Sequence, residues 1–337
     1  MESGRSTGRL SPTMDPTRPL WDFEFVELDS GRVAIVMRYH HVVGDAMYGL
    51  RIGDVIAGTA PTPEPSEPGE AERAELGIPP RGGLEVLSLA FAQWRERNPG
   101  VRRAWRAYWR KSFRMRLRRW GGRLLRPVKN ARIVGTCLLT DVREGRSSAY
   151  EVTDLAAATR RPYKLGGTVN DLVTAATLIA MARQRPDAET LSILVPISRR
   201  GAGDGGVRND ISVVKVSVAA SAPLEEIVPS VRAQVQAAVD SGGSVVEGAE
   251  DWVGYATSVT WGRDERFFGT APVETVTGWP AGDPRDEVAC LACSYRRELV
   301  VSVTARSTVD LPALMAVYRE LLAPVTVTVA DAAGAAR

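Results

Sequence analysis

The sequence predicts an α/β protein built on mixed sheets. Three observations carry that expectation. An N-terminal hairpin pattern leads into a helical one. From Ala131 onward, β-rich runs alternate with helical runs. No internal repeat recurs at a fixed period, so a solenoid or propeller is not indicated.

The elements follow in order. Residues 22–28 alternate apolar and acidic side chains, as a half-buried strand does. Asp29-Ser30-Gly31 reads as a turn. Residues 32–39 are more continuously apolar, so 22–39 reads as a hairpin. Helical spacing begins near Gly44 and carries Met47, Leu50, Ile52 and Ile56. Residues 59–68 hold four prolines and form a linker.

A strand is expected at 133–139, a short helix at 147–160, and an amphipathic helix at 169–184 that starts near Asn170-Asp171. Strands follow at 191–196 and 211–219, then a helix at 223–240. Residues 287–304 give two strands around Arg296-Arg297-Glu298, and 310–322 the closing helix.

Composition sets limits on function. The 337 residues are 44% hydrophobic and 25% charged, as in an ordinary globular protein. A net charge of +3 does not make the whole chain a nucleic-acid binder. The N-terminus is polar and shows no secretory signal pattern. No run approaches the ~20 apolar residues that a membrane span needs. Three cysteines make no disulfide framework. Cys290 and Cys293 have metal-like spacing, but in a strand residues three apart face opposite sides, so buried structural thiols are expected. The expected compartment is a reducing cytoplasm, and no metal is expected.

The chemistry-bearing run is His40-His41-Val-Val-Gly-Asp45, which contains both histidines of the chain. Adjacent residues at a strand end point in different directions, so one of the two at most enters a given pocket. An imidazole is suited to take a proton from a hydroxyl at neutral pH. Asp45, four residues after His41, is placed to brace the loop. An exposed or edge-packed histidine pair is the plain alternative, since short motifs match by chance.

Further motifs stand in order around this run. Pro19-Leu20-Trp21 precedes it. Thr168-Val-Asn170-Asp171-Leu-Val-Thr opens a helix. Val195-Pro196-Ile-Ser-Arg199-Arg200, then Asn209-Asp210, follows, and Ser294-Tyr295 precedes the last strand and helix. Together these resemble the bacterial wax ester synthase/diacylglycerol acyltransferase family over nearly the whole chain. The sequence departs from the family's pattern at Ala46, where the family has Gly, and at Arg208-Asn209-Asp210. Eighteen residues precede Pro19, fewer than in family members, so the resemblance implies an incomplete N-terminal half.

The resemblance implies a chloramphenicol acetyltransferase-like fold of two halves facing across a tunnel. The expected division is 1–58 for the N-terminal half with the histidine motif, 59–130 for the linker and crossover helix, and 131–330 for the C-terminal half. It also implies the chemistry. His41 would deprotonate the hydroxyl of a long-chain alcohol or diacylglycerol, and the oxygen would attack the thioester carbonyl of acyl-CoA. His40 and Asp45 would shape the loop. Asn170, Asp171 and Arg200 are candidate substrate-site residues; Asn170 or Thr168 could equally cap the helix, and Arg200 could equally be a surface charge. An oxyanion donor is required but not named by the sequence. No cofactor is implied, since acyl-CoA is a substrate. Two other readings stay open: a catalytically impaired acyl- or membrane-binding paralogue, and a secondary-metabolism acyltransferase that uses a carrier-protein thioester.

Residues 94–130 hold fourteen Arg and Lys and one acid, Glu96, with Trp105, Trp109, Phe113 and Trp120 near one helical face. Such a stretch suits a crossover helix, a peripheral contact with an anionic membrane, or single-stranded nucleic acid, the last being the least expected. A homo-oligomer or a separate N-terminal partner would complete a half-built domain.

Overall fold

The computed structural model describes residues 20–41, 43–62, 146–198, 211–241, 252–280 and 285–322, with Met14 and isolated positions between 82 and 110. Met1–Pro63 and Val142–Arg337 form one compact unit, and Glu64–Asp141 a second. The expected strand at 133–139, the segment 199–210 and most of the basic stretch 94–130 lie outside the described residues.

Two strands open the chain, β1 (Trp21–Glu27) and β2 (Val33–Tyr39). They pair antiparallel from Trp21↔Tyr39 to Glu27↔Val33. Gly31 turns the hairpin at φ 76°, a conformation that costs glycine nothing. Helix α1 (Ala46–Ile56) follows.

After the second unit the chain builds a six-stranded sheet: β3 (Arg146–Asp154), β4 (Thr190–Ser198), β5 (Ile211–Ala219), β6 (Gly254–Gly262), β9 (Val288–Tyr295) and β10 (Glu298–Arg306). Between β6 and β9 lies a small ribbon of β7 (Phe267–Phe268) and β8 (Ala271–Pro272). The sheet order is β3-β10-β9-β6-β4-β5. β6 runs parallel to β4 and β9, and the other pairs are antiparallel. The mixed sheet predicted from the sequence is present.

One expectation is corrected here. Residues 147–160 do not form a single helix. They are strand β3 as far as Asp154, then the start of α2 (Leu155–Lys164). Tyr150, Val152 and their neighbours pair residue by residue with β10, and that long-range ladder overrides local helix preference. Asp154 then caps α2, accepting a hydrogen bond from Ala157 N–H at 2.7 Å.

Helices α2, α3 (Val169–Arg183), α4 (Leu224–Asp240) and α5 (Leu311–Leu322) pack against the sheet. α3 is central. It touches α4, α5, β4, β6 and β9. The amphipathic face expected for it is absent, because Leu172, Val173, Ala175, Ala176, Leu178, Ala180 and Met181 are all fully buried. A helix enclosed on nearly every side needs no polar stripe. No single helix among the described residues is long and apolar enough to cross a membrane.

Strand alternation sorts the sheet's two faces. Cys290, Ala292, Ala256, Val301 and Val303 belong to the core shared with the helices. Cys290 is tied to that layer, beside Tyr318 of α5 and Thr177 of α3. The intervening residues point to the other face, which residues 273–280 cross. There Thr277 Oγ1 shares a hydrogen bond with Ser302 Oγ at 2.6 Å, and Trp279 meets Tyr150 edge to face. Cys293, three residues after Cys290, is buried on this second face, so the two thiols point apart. Gly254 is obligatory where β6 begins: its φ is 153°, and a Cβ there would lie 1.6 Å from Val288 O.

Candidate active site

The histidine run sits where β2 hands over to α1. His40 N–H donates to Leu20 O at 2.9 Å, which ties the strand end to the residue before β1. Val43 N–H returns to His40 O at 2.8 Å and closes a tight turn. His40 and His41 are both exposed on that turn.

Asp45 is 3% exposed and caps α1. Its Oδ1 accepts from Tyr48 N–H at 3.1 Å, and its carbonyl accepts from Gly49 N–H at 3.2 Å. The same carbonyl accepts from Tyr39 Oη–H at 3.1 Å. Burial, reinforced by the charge of Asp45, pushes the Tyr39 hydroxyl up to about 12, so it remains a donor at physiological pH. Tyr39 and Tyr48 meet edge to face at 6.4 Å.

Two glycines make this packing possible. A Cβ on Gly49 would lie 2.4 Å from Tyr39 Oη, and one on Gly44 2.3 Å from Tyr48 Cδ1. Ala46 opens α1 as its first helical residue. Among the described residues only Arg296 is a non-glycine with positive φ, so this loop makes no demand for glycine at position 46.

The last turn of α1 is fastened to the six-stranded sheet. Trp261 Nε1–H donates to Asp54 Oδ1 at 2.8 Å, and Arg266 Nη2 pairs with the same oxygen at 2.8 Å. Gly53 lies directly on the Trp261 ring. Beyond the helix, Gly58 and Phe267 exchange two backbone hydrogen bonds of 2.9 Å, and Thr62 N–H donates to Gly269 O. The sequence offers no signal for these contacts, because Asp54 and Trp261 are 207 positions apart.

Asp171 has a different setting. Thr168, not Asn170, caps α3, and Asp171 Oδ2 accepts from both Thr168 N–H and Thr168 Oγ1–H at 2.8 Å each. This is a capping box with the carboxylate 1% exposed. Asn170 is half-buried in the same first turn. Arg200 lies outside the described residues.

A cavity of about 200 Å³ opens between α2, the start of α3 and the carboxyl ends of β6 and β9. Ser258, Thr260 and Ser294 line it with hydroxyls, Leu155 and Val169 with apolar surface, and Arg263 with a cation. Ser294 Oγ–H donates to Thr260 Oγ1 at 2.9 Å. By strand alternation these hydroxyls share the helix-side face with Cys290, whereas Trp261 belongs with Tyr295 to the other. Among the described residues no group of three or more His, Cys, Asp or Glu is placed to hold a metal.

Residues 6–173 match the family model described as the wax ester synthase/diacylglycerol acyltransferase catalytic domain. That span contains the histidine run and ends inside α3. Among solved structures, the wax ester synthase/diacylglycerol acyltransferase of Marinobacter aquaeolei VT8 is similar at 17% identity and a TM-score of 0.55, over 92% of this chain and 72% of that one. A condensation domain of the enacyloxin polyketide synthase matches at 15% identity and 0.45, over 92% and 62%. The first condensation domain of the calcium-dependent antibiotic synthetase matches at 14% and 0.46, over 90% and 65%. The mixed sheet with its helix layer is thus a chloramphenicol acetyltransferase-like α/β fold. The chain belongs to the wax ester synthase/diacylglycerol acyltransferase family and is an acyltransferase of that type.

Proposed function

We propose that the chain transfers a fatty acyl group from acyl-CoA to the hydroxyl of a long-chain alcohol or diacylglycerol, with His41 as the general base. The observation that carries this reading is the capped loop from Tyr39 to Asp45. Its backbone is fixed at both ends while His40 and His41 are exposed on the turn. A base on such a loop is held in place yet open to substrate, as proton abstraction requires.

In the reaction, His41 takes the hydroxyl proton, and the oxygen attacks the thioester carbonyl. The tetrahedral intermediate collapses with loss of the CoA thiolate, which takes up the proton from the imidazolium. No acyl-enzyme forms. Asp45 keeps the loop in place through the α1 cap, and His40 contributes its backbone to the turn. Asn170 and Arg200 are proposed substrate contacts. The basic aromatic stretch at 94–130 is proposed to bring the enzyme to an anionic membrane surface, where hydrophobic acceptors reside.

Purified protein incubated with palmitoyl-CoA and hexadecanol, or with dioleoylglycerol, should yield ester and free CoA thiol. His41→Ala should lower the rate by about 10²–10⁴-fold. Ester formation at the parental rate in His41→Ala would overturn the assignment of the base. A folded protein that yields no ester with either acceptor would favour the acyl- or membrane-binding reading.

A further inference from the structure

The residues that fasten α1 to the sheet form one connected cluster. Asp54 is the sole member from the N-terminal segment, and its Oδ1 receives both Trp261 Nε1–H and the Arg266 guanidinium. Arg266 in turn lies over the Trp261 ring at 5.8 Å. The Trp261 ring packs on Tyr295 at 5.3 Å, and Tyr295 Oη accepts from Arg266 N–H at 2.9 Å. Every member is therefore held by at least two others.

This cluster meets a helix that is pinned at its other end by Tyr39 and Asp45. Asp45 and Asp54 are nine residues apart, which is about 13 Å along a rigid helix. A sideways movement at Asp54 is therefore passed to the loop that carries His41, since an α-helix bends far less readily than a loop.

The chemistry of the clamp also points to placement. Arg266 is largely buried, with a side chain 17% exposed, and its Nε has no hydrogen-bond partner among the described residues. A cluster serving cohesion alone would be served as well by apolar side chains, whereas a charged fork on a fixed carboxylate oxygen defines direction and distance.

We propose that Asp54, Trp261 and Arg266 are positioning residues for acyl transfer, clamping α1 so that His41 is held in register with the substrates bound by the sheet. The proposal rests on His41 acting as the base. It predicts that loosening the clamp lowers the chemical step and leaves substrate binding nearly intact.

The test compares kcat and KM for palmitoyl-CoA and hexadecanol in Trp261→Phe, Asp54→Asn, Arg266→Lys and Arg266→Met, each also combined with His41→Ala. Asp54→Asn is nearly isosteric and keeps an acceptor for Trp261, so it isolates the ion pair should Trp261→Phe fail to fold. Trp261→Phe and Asp54→Asn should each lower kcat by about tenfold or more, as small displacements of a reacting group do. Both KM values should stay within about twofold, Arg266→Lys should retain more activity than Arg266→Met, and no clamp substitution should slow the His41→Ala enzyme further. Unchanged kcat in the clamp variants, with His41→Ala inactive, overturns the clamp and leaves the base assignment standing. Equal losses in the presence and absence of His41 also overturn it, because the cluster would then act independently of that residue. A fully active His41→Ala overturns the base, and the clamp with it.

Discussion

Replacing Gly53 with alanine sets two known effects against each other. Alanine stabilises a helix interior by about 1 kcal/mol relative to glycine. The new Cβ, however, would lie 2.8 Å from Trp261 Cζ2 and 3.1 Å from Cε2. These are ring atoms of an indole that cannot swing away, because its N–H is bonded to Asp54 and its ring lies against Tyr295. Overpacking of this kind costs about 1–3 kcal/mol. The steric cost therefore exceeds the gain, and Gly53→Ala should destabilise the protein by about 1 kcal/mol, a fall of about 2 °C in Tm for a domain of this size. Removing the ring should reverse the sign. In a Trp261→Leu background, the same Gly53→Ala change should stabilise by up to about 1 kcal/mol. Urea unfolding followed by circular dichroism on the four proteins of the cycle measures both values. A higher midpoint for Gly53→Ala in the parental protein, or the same sign in both backgrounds, would refute the close contact between α1 and Trp261.

Gly254→Ala should abolish folding outright, because φ is 153° and the added carbon would lie 1.6 Å from Val288 O; soluble, cooperatively unfolding Gly254→Ala would contradict the β6–β9 register. Burial pushes the Cys290 thiol from 9.0 up to about 12, so the folded state keeps a proton that the unfolded chain loses above pH 9. Stability from this group is complete below pH 9 and is lost as pH rises toward 12. The slope is about 1.4 kcal/mol per pH unit at most. Urea midpoints at pH 8 and 10.5 should differ for the parental protein and differ less for Cys290→Ala; equal differences would remove Cys290 as the source.

Local pattern made much of the architecture legible. The 22–39 hairpin, strand β5 and the closing helix stand where alternation and helical spacing put them. The histidine run was visible as a motif, and its place at the end of β2 followed from the hairpin. Residues 147–154 misled because Ser, Ala, Tyr and Glu tolerate either state, and only the ladder with β10 decides for a strand. Strand β6 went unmarked in the sequence, although Tyr255 to Trp261 is rich in β-forming residues.

What the sequence determined by itself was chemistry and local form: two adjacent histidines at a strand end, an aspartate spaced to brace the loop after them, and periodicities that mark several of the strands and helices. Those properties depend on neighbours a few residues away. What only the tertiary structure decided is how these parts are held. The fastening of α1 to Trp261 and Arg266 and the enclosure of α3 on nearly all sides arise from contacts between distant segments. Side chains two hundred positions apart leave no local trace, because the free energy that pairs them exists only once the sheet between them has formed.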